Sequence, residues 1–248
     1  MGEVSFFDSN CMIGRRMGRA PREIWRVDQL LEDMDYFGIE RALVFHALAK
    51  EYDPATGNER LLKEIEATDR LYGCWVLLPS HTGEMPAPAR LMEEMIRCGV
   101  RAARIFPKMH SFPLEPWSCG DLLDALEAYR VPLFIDRDQV EWRDVWRVCR
   151  DHPNLPVVIT SIGYRENRNL YPLFEAFEHL YIDLSWYSVH RGIEAVCRRF
   201  GTKHLLFGTR MPFFTPGPAL TAVAYADISE GEKAQIAEGT LWGLLEGG

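Results

Sequence analysis

Long apolar runs are missing from this 248-residue chain. None approaches the about 18 residues that a membrane helix needs, and no basic segment leads into an apolar stretch at the start. The expectation is a cytoplasmic protein with no membrane partner. Positive charge is also scarce: 28 Lys and Arg face 36 Asp and Glu, for a formal net charge of −8 and a pI near 5.4. That balance removes the broad positive field on which nucleic acid or an anionic membrane surface would dock. An anionic partner must then be small and locally received. No C-x-x-C pair occurs among Cys11, Cys74, Cys98, Cys119, Cys149 and Cys197, which excludes a zinc ribbon and leaves the thiols reduced. No H-x-H or H-E-x-x-H spacing occurs either, so His81, His110, His152, His179, His190 and His204 read as non-ligands. No low-complexity run or Gly/Ser linker divides the sequence, and residues 1–248 read as one domain.

What is present is alternation. Short apolar or β-branched runs at residues 4–8, 41–46, 72–78, 101–106, 132–136, 156–161, 181–184 and 204–208 are separated by amphipathic stretches, the pattern of βα units on a parallel sheet. Val27, Leu30, Leu31, Met34 and Phe37 repeat at helical steps before a stop at Gly38, and Leu122, Leu123, Leu126 and Tyr129 do the same before Pro132. Ser229 and Glu232 form a capping-box pair that opens a closing helix running to about residues 242–245. An open doubly wound sheet is the rival architecture, but no Gly-rich phosphate loop follows the first strand. Eight units in this length favour a single (β/α)8 TIM barrel, with its site where the strands end.

The stretch Phe6-Phe7-Asp8-Ser9-Asn10-Cys11-Met12-Ile13-Gly14 resembles the first-strand signature of the amidohydrolase superfamily, Asp-x-His-x-His-x-Gly, with Asn10 and Met12 in place of the histidines. Residues 131–136 resemble the family's fifth strand with Asp136 in the histidine's place, and residues 155–163 its sixth with Ser161 in the histidine's place. Residues 205–212 resemble its eighth-strand turn Phe-Gly-Ser-Asp-x-Pro, with Arg210 in place of the catalytic aspartate. The resemblance implies a metal-dependent hydrolase or decarboxylase on a TIM barrel. The substitutions remove its ligands: a thioether is a weak donor to Zn²⁺, and a guanidinium repels a divalent ion. The expectation is no metal and no other cofactor. An oxygen-rich Mg²⁺ or Ca²⁺ site at Asp8, Asn10, Asp136 and Asp183 is the alternative.

At strand ends Asp8, Asn10, His46, Arg104, Asp136, Ser161, Asp183 and Arg210 converge on one mouth. His46 and Asp136 are the proton-transfer candidates. Arg104 and Arg210, with Arg15, Arg16 and Arg19 from the first loop, suit a carboxylate or phosphate. Trp186 and Tyr187 could wall a ring-shaped ligand. Cys11 reads as facing away, and Trp142 and Trp146 as packing on the barrel. The competing reading is a salt-bridge network in which Arg210 neutralises Asp8 or Asp136. Three functions follow: a metal-independent hydrolase acting on a small anionic molecule, a silent barrel that binds a small molecule or a partner subunit, and a metalloenzyme with substituted ligands. A homo-oligomer is compatible with all three.

Overall fold

The computed structural model describes residues 4–18 and 26–247. Eight parallel strands follow one another in sequence order: β1 (Phe7–Ile13), β2 (Arg41–His46), β3 (Leu71–Val76), β4 (Ala102–Ile105), β5 (Leu133–Asp136), β6 (Val157–Thr160), β7 (Leu180–Asp183) and β8 (Leu205–Leu206). The backbone past β8 returns to β1, where Ser9 N donates to Phe207 O at 3.0 Å and Met12 N to Met211 O at 2.9 Å. The result is the (β/α)8 barrel. Between the strands lie α1 (Val27–Phe37), α2 (Ala47–Glu51), α3 (Pro54–Ile65), α4 (Pro88–Arg97), α5 (Pro116–Ala128), α6 (Trp142–Asp151), α7 (Asn167–Ala176) and α8 (Gly192–Phe200). After β8 come α9 (Gly217–Ala224), α10 (Glu230–Ala234) and α11 (Thr240–Glu246). Among the described residues no helix is long and apolar enough to cross a membrane.

Period-two alternation divides the apolar residues into two cores. Phe7, Met12, Leu43, Phe45, Val76, Phe106, Phe134, Val158 and Leu206 pack in one cluster that fills the barrel. Their neighbours Ile13, Val44, Ile105, Leu133, Ile135, Val157 and Ile159 join the cluster that meets the helices. At the end where the strands begin, the ring of Phe7 lies 5.0 Å from those of Tyr72 and Trp242, and Leu241, Leu244 and Leu245 of α11 complete the seal.

Two expectations need adjusting. The first strand begins at Phe7 rather than at residue 4 and runs on to Ile13, with its register against β2 shifting between Asp8 and Cys11. Polar residues at this bulge break the apolar pattern from which a strand is read. The closing helix does open on the Ser229–Glu232 capping box, but a π-helical turn over Gln235–Gly239 separates α10 from α11. Removal of the aromatic plug should be costly: Phe7→Ala should destabilise the fold by about 3 to 5 kcal/mol in a denaturant titration. A loss below about 1 kcal/mol would show that the barrel floor does not depend on this ring.

Candidate active site

The strand ends meet in a sealed polar network built around Arg104 on β4. Its Nη1 donates to Asp136 Oδ1 at 2.6 Å and its Nη2 to Asn10 Oδ1 at 3.1 Å. Asn10 Nδ2 donates onward to Asp183 Oδ2 at 2.7 Å, and Asp183 Oδ1 accepts the Ser161 N–H at 2.7 Å. Thr160 Oγ1 donates to Asp136 Oδ1 at 2.6 Å. One chain of bonds thus ties β5, β4, β1, β7 and the end of β6 across the barrel. The Arg104 guanidinium also lies 4.5 Å from the Phe45 ring centroid, and the residue is 1% exposed.

Local chemistry explains each placement. Asp8 Oδ1 accepts the Asn10 N–H at 2.9 Å, an Asx turn that holds the β1 bulge beside the Asn10 contacts with Arg104 and Asp183. Asp8 further accepts the N–H of Thr209, at 3.0 Å, and its hydroxyl. Gly208 admits the close approach of β8, since a Cβ there would lie 2.9 Å from Asp183 Oδ2 and Ser9 Oγ.

The carboxylates do not titrate alike. Burial pushes Asp8 and Asp183 upward, against the opposing hydrogen bonds from Thr209 and Asn10 to Asp8 and from Ser161 and Asn10 to Asp183. Burial would raise Asp136 as well, but Arg104, Lys50, Thr160 and Arg210 together hold it below the usual carboxylate range.

Arg210 acts on Asp136 only from a distance and forms no ion pair with Asp8 or Asp136. Among the described residues it has no carboxylate within 4.0 Å, because Asp136 is met by Arg104 and by Lys50 Nζ at 3.7 Å, and Asp8 by Thr209. Its guanidinium lies instead among three rings, 5.5 Å from the centroids of Phe213 and Phe214 and 5.7 Å from Trp186. Trp186 is exposed and meets Phe214 edge-on at 4.7 Å.

His46 caps α2, its Nδ1 accepting the Leu48 N–H at 3.0 Å, while Nε2 faces Glu64 Oε2 at 3.5 Å. Burial lowers its pKa, with Glu64 opposing. The Gly14 backbone presses on the ring so closely that a Cβ there would come within 2.5 Å of Nε2. Arg15 is exposed, Arg16 stands over Phe213 at 4.3 Å, and Arg19 lies outside the described residues.

Lys50 also reaches this network, a placement that the sequence reading missed. It lies on α2, four residues past His46, and its side chain is 12% exposed, with Nζ 4.8 Å from the Phe106 centroid. Burial lowers its pKa, Asp136 opposes this, and Arg104 and Arg210 add to it. A basic residue one helical turn beyond a strand end was the available signal.

The sequence profile described as Amidohydrolase matches residues 16–240. The chain belongs to the amidohydrolase family. No curated protein sequence matches it. Among solved structures, the chain is similar to 5-carboxyvanillate decarboxylase from Sphingomonas paucimobilis (14% identity, 98% of this chain and 99% of that one, TM-score 0.75). It is similar also to 2,6-dihydroxybenzoate decarboxylase from Rhizobium (13%, 98% and 99%, TM-score 0.73). A third is dihydroxybenzoic acid decarboxylase from Polaromonas sp. JS666, with bound manganese and 2-nitroresorcinol (16%, 98% and 97%, TM-score 0.74). At such identities the likeness extends to the fold alone.

For a divalent ion at the strand ends this donor set is a poor fit. Asn10 spends its amide on Arg104 and Asp183, Met12 offers a thioether, Asp136 is taken up by Arg104 and Thr160, and a buried guanidinium occupies the middle.

The Arg104–Asp136 pair should therefore be the costly one to break. Asp136→Asn should destabilise the fold by about 3 to 5 kcal/mol, and Arg104→Met with Asp136→Asn should recover part of the loss. Because Asp136 titrates below its unfolded value, its contribution is full above the unfolded pKa and is lost as pH falls through the folded one. Asp8 and Asp183, raised, act oppositely: their contribution is full below the unfolded pKa and is lost as pH rises through the folded one. Denaturant midpoints followed from neutral pH into acid should fall less steeply in the double variant than in the wild type. Parallel curves would mean that the pair does not carry this charge balance.

Proposed function

We propose that this amidohydrolase receives a small carboxylate on the rim of the barrel and acts on it as a lyase of the decarboxylase kind rather than as a hydrolase. The observation that carries this reading is the convergence on Phe213 of Arg16 at 4.3 Å, Arg210 at 5.5 Å and Lys50 at 5.8 Å from the ring centroid. Among the described residues neither arginine has a carboxylate partner. An anion seated there would relieve the mutual repulsion and take up the planar donor forks. Beside Arg210 runs a groove of about 410 Å³ whose lining includes Leu184, Trp186, Tyr187, Phe214, Pro218 and Ala222, apolar enough for a ring.

Decarboxylation is supported in kind by those structural neighbours that are decarboxylases of aromatic acids. It also needs only what the rim supplies. As the bond to the carboxylate carbon breaks and carbon dioxide leaves, the electron pair stays on the substrate carbon and takes a proton from the Lys50 ammonium, which solvent restores. A depressed pKa suits Lys50 to that donation. Hydrolysis would call for a base that activates water, and both sequence candidates are committed elsewhere, His46 to Leu48 and Glu64, Asp136 to Arg104 and Thr160. The sealed interior favours one second reading, a barrel that binds the same anion without transforming it.

Benzoate-type acids should raise the melting temperature of the wild type by mass action, and Arg210→Ala should weaken their binding about ten- to a hundredfold. The same variant should cost less than about 1 kcal/mol of stability, since no buried ion pair is broken. Binding should fade as pH rises through the lowered pKa of Lys50. Release of carbon dioxide from hydroxybenzoates, lost in Lys50→Met, would separate the lyase from the binder. Stabilisation by neutral amides alone, or undiminished carboxylate binding in Arg210→Ala, would overturn the anion site.

A further inference from the structure

At the opposite end of the barrel, where the strands begin, three side chains from two neighbouring helices face one another. Asp124 and Glu127 lie three residues apart near the end of α5, on one helical face, and His152 caps the end of α6. His152 Nδ1 is 3.4 Å from Asp124 Oδ1 and 3.5 Å from Glu127 Oε2, and the three ligand atoms all fall within 4.8 Å of one another.

The histidine gives this cluster its meaning. The residue is 8% exposed, and its Nδ1 has no hydrogen-bond partner despite being buried. A buried ring nitrogen aimed between two carboxylates and bonded to neither calls for something else between them. Its backbone is fixed, His152 N donating to Val148 O at 2.9 Å and Leu155 N to His152 O at 3.2 Å. Glu127 is also held: its Oε1 accepts the Asn154 N–H at 2.7 Å, which leaves Oε2 for the shared space.

We infer that Asp124, Glu127 and His152 form a divalent-cation site of the zinc class that staples α5 to the end of α6. Donors bound at about 2.0 to 2.2 Å with tetrahedral angles stand about 3.4 Å apart, close to the 3.4 Å and 3.5 Å that already separate His152 Nδ1 from the two carboxylate oxygens. One imidazole and two carboxylates match the charge of the ion, and the exposure of Asp124 leaves solvent to supply a fourth ligand. Spacing rules such as H-x-H do not register the site, because its ligands come from different helices. Its place at the end away from the mouth makes it a stabilising site, independent of the carboxylate rim.

The test uses the full chain, stripped with a chelator and titrated with Zn²⁺ against a chromogenic competitor, with melting followed in parallel. One equivalent should bind and raise the melting temperature. His152→Gln, and Asp124→Asn with Glu127→Gln, should each weaken binding at least about tenfold. The near-isosteric changes at Asp124 and Glu127, on a half-exposed surface, keep the test meaningful if His152→Gln folds poorly. Cys98, the exposed thiol, is the competing ligand; Cys98→Ser should bind as the wild type does. No bound zinc, equal affinity in the ligand variants, or loss of binding in Cys98→Ser would each overturn the site.

Discussion

Arg104 holds a full positive charge inside the barrel, and the strand ends are arranged to meet it. Its two forks reach Asp136 on the adjacent strand and Asn10 across the barrel, and Asn10 passes the connection to Asp183. A buried charge stripped of its partner costs several kcal/mol, so these positions constrain one another. In the amidohydrolase signature that β1 resembles, two histidines hold a cation at this level. Here the Arg104 guanidinium stands at this level. The same arrangement saturates the carboxylates and moves the available charge outward, to Lys50, Arg16 and Arg210 around Phe213.

The division between a closed interior and a charged rim bears on chemistry. Asp136 is held ionised by its cations, while burial works against ionisation of Asp8 and Asp183. None of the three is open to a ligand. Lys50 stands between the two zones, its ammonium 3.7 Å from Asp136 and above the rings of Phe106 and Phe213. That position couples the brace to the rim: Asp136 favours the charged form of Lys50, and Arg104 and Arg210 oppose it.

The barrel was legible because most strands read as short, nearly continuous apolar runs, the imprint of a parallel sheet buried on both faces. The residues gathered at the strand ends were legible too, since strand register fixes where a side chain begins. Where it ends was not. Arg104 lies on β4 and Arg210 past the end of β8, yet the side chain of one spans the interior and that of the other lies among aromatic rings. Lys50 escaped notice because α2 starts directly after β2 at His46, so the residue reads as part of a surface helix. The role of His46 as a helix cap depends on the Leu48 N–H and on Gly14 pressing against its ring, and neither is written in the local pattern.

A structural brace in place of a bound ion is the central claim, and diffraction tests it directly. Crystals grown with manganese and measured at the manganese absorption edge should show no anomalous peak among Asn10, Met12, Asp136, Ser161 and Asp183, with Arg104 still bonded to Asp136. A full-occupancy peak at that level, with Arg104 displaced, would contradict the account and make this protein a metalloenzyme with substituted ligands.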